Sequence, residues 1–237
     1  DNPSGAEEEL ANRVMAELRS LGITAETDPA GNIIATVPGA GEPFLLNAHL
    51  DSVQPCCSVR PAIRDGIVKS TGETILGSDD KAGLAVILEV IRALGPDASS
   101  RPSLELLFTV GEELGLVGAK AADYSRIRAR VGLALDGGGP AGTLWVSAPS
   151  QDSLSVVIRG RAAHAGVCPE NGVSAIVAAS QAIAKMKLGR IDEETTANIG
   201  TISGGTARNI VPDLVRLEGE ARSRSEEKLK AQTSHMV

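Results

Sequence analysis

Four short stretches of this 237-residue sequence gather side chains that can bind a cation or move a proton. In Asn47-Ala-His-Leu-Asp-Ser52, His49 and Asp51 are two residues apart. On a strand that spacing puts both on one face. It suits a metal-ligating imidazole oriented by a carboxylate, or simply a polar strand end. Gly77-Ser-Asp-Asp-Lys-Ala-Gly83 precedes an apolar helical stretch. One of Asp79 and Asp80 can bridge two cations while the other caps the helix, although a helix dipole alone also favours acids there. Glu112 and Glu113 follow an apolar strand. Adjacent side chains diverge in a turn, so one can bind metal while the other reaches a bound water; two solvated loop acids are the plain alternative. Asp136, followed by three glycines, ends another apolar run. A carboxylate there is costly to desolvate without a partner cation, and an Asx-capped turn is again the plain alternative.

Taken together the four stretches say more than any one of them. One histidine and several carboxylates come with almost no basic residue. Unpaired, these acids would repel one another by roughly several kcal/mol in a low-dielectric cleft. Divalent cations remove that repulsion, and oxygen ligands with an imidazole suit zinc, manganese or cobalt. No serine or cysteine has a comparable setting. Cys56-Cys57 follows the His49 strand but lacks a second nearby histidine to serve as base.

The elements that must position these residues follow from periodicity. Phe44–Ala48, Leu104–Val110 and Val131–Leu135 are apolar runs, and each leads directly into one of the polar clusters. Helical stretches at Lys81–Leu94 and about Leu116–Tyr124 lie between them. Near-continuous apolar strands alternating with helices predict an α/β fold with a mostly parallel mixed sheet, buried on both faces and flanked by helices. Ligands of such sheets sit beyond the carboxyl ends of the strands, so the clusters should converge. Upstream, Ser4-x-x-Glu7 reads as a capping box for a helix from about Gly5 to Leu21, with Gly22 at C′. Asn32–Val37 reads as a strand. After about Ser147 the pattern changes. An alternating run at Leu154–Ile158, a helix near Val173–Lys187, strands at Thr196–Ile202 and Val211–Ala221, and a charged helix from Ser223 give β-α-β-β-α. That is a split βαβ sandwich lacking its last strand. The expected domains are a catalytic, metal-binding 1–148 and an inserted α+β unit, 149–237.

Composition narrows the function classes. Hydrophobic residues make up 42% of the chain and aromatics only 2%, so the core must be aliphatic. A net charge of −7 argues against nucleic acid or an anionic membrane as partner. No apolar run reaches the about 18 residues of a membrane span. Cys56, Cys57 and Cys168 make a poor disulfide framework, which points to the cytoplasm.

Asn-Ala-His-Leu-Asp-Ser, Gly-Ser-Asp-Asp-Lys-Ala-Gly, the Gly-Glu-Glu after a strand and Leu-Asp-Gly-Gly-Gly resemble the motifs of the co-catalytic zinc exopeptidase family, in the family's order. That family includes peptidase T, glutamate carboxypeptidases and aminoacylases, and the wording is most similar to its peptidase T-like branch. The resemblance runs from Ser4 to the last residue. It implies two divalent cations, most simply zinc. His49 and Asp136 would hold the first, Glu113 the second, and Asp79 would bridge them. Asp51 would orient His49, and Glu112 would be the general base. Arg161-Ala-Ala-His-Ala-Gly166 resembles the family's lid motif, which implies that His164 reaches across a homodimer, formed through the second domain, to the tetrahedral intermediate. Asn209 and Arg222 resemble residues that hold the substrate backbone or carboxylate.

One ligand departs from the pattern. The family's second metal takes a histidine from a strand well downstream, and the only late histidine here, His235, sits in a charged helix. The chain also starts at Asp1. The expectation is therefore a chain incomplete at both ends, with one metal site well formed, the other poor, unpaired strand edges and no turnover. The function implied for the family is release of an N-terminal residue from short peptides. A deacylase or carboxypeptidase of the same family, and a metal-free binding or assembly protein on this scaffold, are the alternatives.

Overall fold

The computed structural model describes residues 1–95 and 97–237, which form two compact units, 1–143 and 144–237. Sequence periodicity had placed the boundary at Ser147–Gln151.

The first unit contains α1 (Glu8–Ser20), β1 (Ala25–Thr27), β2 (Ile33–Val37), β3 (Phe44–His49), β4 (Pro61–Arg64), β5 (Ile67–Ser70), α2 (Ser78–Leu94), β6 (Leu104–Thr109), α3 (Val117–Ala121) and β7 (Gly132–Ala134). Strands β4 and β5 form a separate hairpin. The main sheet is mixed, in the order β1-β2-β6-β3-β7. Its site-bearing strands β6, β3 and β7 run parallel, while β1 and β2 are antiparallel additions. The apolar runs explain the packing. Every residue of β6 is buried, as expected of a central strand covered on both faces. By contrast β7 is short and exposed, with Leu133 at 43%. It forms one edge of this sheet.

A core of Val14, Leu18, Ile33, Leu50, Ile87, Leu106 and Phe108 joins α1 and α2 to the sheet. Helix α1 is shorter than its periodicity suggested, and it is not closed by a capping box. Its N-cap is Glu7, which makes no side-chain cap bond. The C-terminus behaves as expected. Gly22 takes φ +75°, its N–H reaches Arg19 O, and Ile23 N–H reaches Leu18 O, the Schellman arrangement. Helix α3 is also much shorter than the Leu116–Tyr124 stretch.

The second unit contains β8 (Ser150–Arg159), α4 (Ala175–Lys185), β9 (Gly189–Arg190), β10 (Thr195–Gly204), β11 (Leu214–Ser223) and α5 (Glu226–Met236). Its antiparallel sheet runs β8-β11-β10-β9. Alternation puts Leu154, Val156, Ile158, Val215, Leu217 and Ala221 on one face. Helix α4 covers one part of that face through Ala175 and Ala179, and α5 another through Leu229 and Met236.

Candidate metal centre

The parallel register brings three strand ends side by side. His49, the last residue of β3, pairs with Thr109 of β6, and Asn47 pairs with Ala134 of β7. The chain beyond β6 therefore delivers Glu112 and Glu113, and the chain beyond β7 delivers Asp136, to the edge where His49 ends.

The centre is built around His49, which is only 3% exposed. Its Nε2 lies 2.9 Å from Asp79 Oδ1 and 3.8 Å from Asp136 Oδ1. On the other side of the ring, Nδ1 is 3.3 Å from Asp51 Oδ1, within ion-pair distance but outside hydrogen-bond alignment. Asp51 is fully buried. It accepts hydrogen bonds from Ser4 Oγ at 2.6 Å, the Glu112 N–H at 2.9 Å and the Glu113 N–H at 3.1 Å.

Asp79 and Asp80 sit at the start of α2, joined by a cis peptide and away from helical dihedrals. They divide in environment. The Asp79 side chain is 67% exposed, whereas Asp80 is buried. Asp80 Oδ1 accepts from the Gly83 N–H at 3.1 Å, as a helix cap does, and its Oδ2 accepts from the His49 N–H at 3.2 Å. Gly83 is required by this packing. A Cβ there would stand 2.3 Å from Asp80 Oδ1. Lys81, the one cation of the motif, does not neutralise the acids. Its Nζ donates to Ser52 Oγ at 3.0 Å and Gly77 O at 3.1 Å, and Ser52 Oγ donates to Asp79 O at 3.1 Å.

The electrostatics follow from this crowding. Burial raises Asp80 to about 6 against the pull of the His49 N–H and ring. Burial also raises Asp136 to about 6; His49 opposes the rise, and Asp79 and Asp80 add to it. Burial, Asp79 and Glu112 raise Glu113. For His49, burial acts to lower the pKa, but the bond to Asp79 and the Asp136, Asp51 and Asp80 charges carry it above the ordinary value. Asp51 goes the other way. Burial would raise it, yet the Ser4, Glu112 and Glu113 donors hold it below the usual range.

Two groups of ligand atoms, His49–Asp79–Glu113 and His49–Asp80–Asp136, each lie within 4.8 Å of one another. An imidazole nitrogen with four carboxylates around it, from Asp79, Asp80, Glu113 and Asp136, fits a hard or borderline divalent cation. The structure thus gathers His49, Asp51, Asp79, Glu113 and Asp136, with Glu112 on the same turn. The motifs gave no warning that Ser4, Ser52 and Lys81 would bond into the site. Ser4 equally reads as a helix cap, and no residue-type signal distinguishes the two uses.

A sequence profile of Peptidase family M28 matches residues 32–182, and one of the peptidase dimerisation domain matches residues 150–237. The chain belongs to the co-catalytic zinc exopeptidase family. Among solved members of comparable fold, an aminopeptidase PepT from Bacillus cereus is 46% identical with a TM-score of 0.92. A tripeptidase from Staphylococcus aureus is 40% identical with a TM-score of 0.94. Both are matched over 100% of this chain and 66% of their own. Carboxypeptidase G2 from Pseudomonas is 29% identical over 89% of this chain and 53% of its own. The chain thus spans 53 to 66% of the length of these exopeptidase relatives.

In the second unit, His164 and Asn209 lie on neighbouring backbone segments. His164 bridges Ile210, and the Ala165 N–H reaches Asn209 O at 2.9 Å. Both side chains are exposed. His164 Nδ1 accepts from the Gly166 N–H at 3.2 Å. Arg222, on β11, forks onto Glu220 at 2.9 Å through both contacts. His235 accepts the Lys187 N–H at 3.0 Å, a bond that ties α5 to the end of α4.

Proposed function

We propose that the protein to which this chain belongs removes the terminal residue of short peptides, tripeptides foremost, in a two-cation centre. The convergence of His49, Glu113 and Asp136 just past three adjacent strand ends, with Asp79 beside them at the start of α2, carries this reading. Similarity at 40 to 46% to an aminopeptidase and a tripeptidase supports the substrate class. His49, Asp79 and Asp136 would hold the first cation, and Asp79 and Glu113 the second. Zinc is the first choice by ligand type, with manganese and cobalt also suited.

Divalent cations bound there would supply an acidified water and polarise the scissile carbonyl. Asp51 holds the His49 ring through its Nδ1 side. Glu112, on the turn beside Glu113, takes the water's proton and returns it to the leaving amine. His164 donates to the developing oxyanion from the partner subunit of a homodimer. Asn209 and Arg222 hold the peptide backbone and carboxylate. We assign residues 1–148 to catalysis and 149–237 to the lid and dimer contact. The match to a peptidase dimerisation domain supports the dimer, as do the exposed apolar Val157, Val173, Ile176 and Val177. Three free cysteines support a cytoplasmic location, and among the described residues no helix is long and apolar enough to cross a membrane.

The similarity to carboxypeptidase G2 favours a second reading, a carboxypeptidase or deacylase. A panel of tripeptides with free or blocked termini separates the two. Cleavage that needs a free amino terminus supports the aminopeptidase, and cleavage that needs a free carboxylate and tolerates a blocked amine overturns it. Absence of bound metal after gentle purification, together with no cleavage of any substrate, leaves the binding-protein reading instead.

A further inference from the structure

The segment ahead of α1 is tied to the metal centre by most of its polar groups. The Ser52 N–H donates to Asn2 O at 3.0 Å, and Pro3 bridges Ser52. Asn2 Nδ2 also reaches Leu50 O. Ser4 Oγ reaches Asp51 Oδ2 at 2.6 Å. Glu7 is 8% exposed, and its Oε1 accepts the Gly5 N–H at 2.9 Å and the Gly111 N–H at 3.1 Å.

The turn after β6 completes the pattern. Its three successive N–H groups all go to carboxylates: Gly111 to Glu7, Glu112 to Asp51 Oδ1 and Glu113 to Asp51 Oδ2. Gly111 takes φ +58°, which helps turn these donors toward one side. The same two acids are fixed from the N-terminal segment, Asp51 by the Ser4 hydroxyl and Glu7 by the Gly5 N–H. A capping role for Ser4-x-x-Glu7 would direct these groups to the first turn of α1, and neither side chain bonds there.

We infer that Ser4 and Glu7 are positioning residues of the metal centre: Ser4 sets the Asp51 carboxylate against the His49 ring, and Glu7 fixes the turn that carries Glu112 and Glu113. The inference rests on the metal reading above. Rotation of a carboxylate about χ2 is soft, so Asp51 without Ser4 keeps its charge but loses one of three donors that define its plane. The ring it faces then loses orientation. Supporting partners of this kind are worth about 10- to 100-fold in metal affinity.

The test uses Co²⁺ as probe on the whole protein, with calorimetric titration and visible absorption. Ser4→Ala should weaken Co²⁺ binding about 10-fold and alter the ligand-field bands, and Ser4→Thr should restore both. Ser4 is partly exposed, so the apo melting temperature should barely move. Glu7→Gln, which keeps the acceptor oxygen, should bind Co²⁺ more tightly than Glu7→Ala. Parent-like affinity and spectrum in Ser4→Ala would overturn the role of Ser4, as would a loss that threonine does not restore. Equal affinity in Glu7→Gln, Glu7→Ala and the parent would overturn that of Glu7. A parent chain that takes up no Co²⁺ would instead sink the metal centre itself.

Discussion

The two units bury different things. Among the described residues, the buried ionisable side chains Glu7, Asp28, His49, Asp51, Asp80, Arg101 and Glu105 all belong to the first unit. The second buries only Thr195, Ser223 and Gln232 among polar side chains. Burying charge is costly unless it is hydrogen-bonded, paired or bound to a metal, so each buried acid needs a partner. Glu105 has one, accepting the Arg128 and Ala129 N–H groups at 2.8 Å. Asp28 has Asn32 and the Ala30 N–H. The acids around His49 have backbone donors, the Ser4 hydroxyl and one imidazole, and among the described residues no lysine or arginine forms an ion pair with them. That deficit marks the first unit as a place to hold a cation. The second unit instead keeps His164, Asn209 and Arg222 near its surface, where they can be presented to something else.

The strongest way to break this contrast is Glu112→Gln. The change removes a base and no ligand, so in the whole protein kcat on a tripeptide should fall about 100- to 10,000-fold while metal content stays unchanged. Near-normal turnover would remove Glu112 from its role. Core truncations probe the same division through stability. Phe108 and Leu217 are both fully buried, one in each unit. Phe108→Ala should cost about 3–5 kcal/mol and Leu217→Ala about 2–5 kcal/mol in denaturant unfolding. Only the first should weaken divalent-metal binding, because β6 carries the Gly111–Glu113 turn. Equal effects on metal affinity would mean that the units do not divide the work this way.

Much of this division is legible in the sequence. The apolar runs identify β3 and β6 because a largely buried strand leaves a near-continuous hydrophobic record, and the polar residues just past those runs mark where the strands end. Asp79 against Asp80 is harder. Two adjacent aspartates look alike as letters, and only the backbone departure at the start of α2 buries one and exposes the other. Ser4-x-x-Glu7 misleads for a related reason, since the donors and acceptors a capping box needs are those a turn elsewhere can take. The bulge between Ile199 and Thr201 and the short β9 leave no such trace in the sequence.

His164→Ala sharpens the comparison from the other unit. The side chain is exposed, so melting temperature and metal content should hold while kcat falls about 100-fold. Mixing it with Asp51→Ala under proven subunit exchange should recover part of the activity if the histidine acts across the dimer. No recovery would count against action in trans.

Proton competition has a smaller effect. In the apo chain Asp80 and Asp136 sit at about 6, above the roughly 3.9 of an unfolded aspartate. Raised carboxylates contribute stability that is fully present below the unfolded value and lost as pH rises through about 6. A divalent ion replaces those protons, so Zn²⁺ should raise the melting temperature more near about pH 8 than near about pH 5. An equal rise at both would place the metal elsewhere.

The smallest effect lies at an exposed carboxylate of the second unit, where the sign reverses. Asp192 is held down at about 2, chiefly by the Glu194 N–H, with help from Thr195 and from Lys228 at 3.2 Å. Its contribution is therefore present above roughly 3.9 and lost as pH falls through the folded value, the opposite direction to Asp80 and Asp136. Solvent screens the Lys228 pair, and Lys228 is shared with Glu194 at 2.7 Å. Lys228→Ala should thus raise Asp192 only partway toward its unfolded value in a carboxyl-carbon NMR titration. Full recovery would put the ammonium, not the Glu194 N–H, in charge. Zn²⁺ should leave the Asp192 curve where it was while displacing those of Asp80 and Asp136, and a Zn²⁺-dependent shift at Asp192 would show that cation binding is not confined to the unit that buries charge.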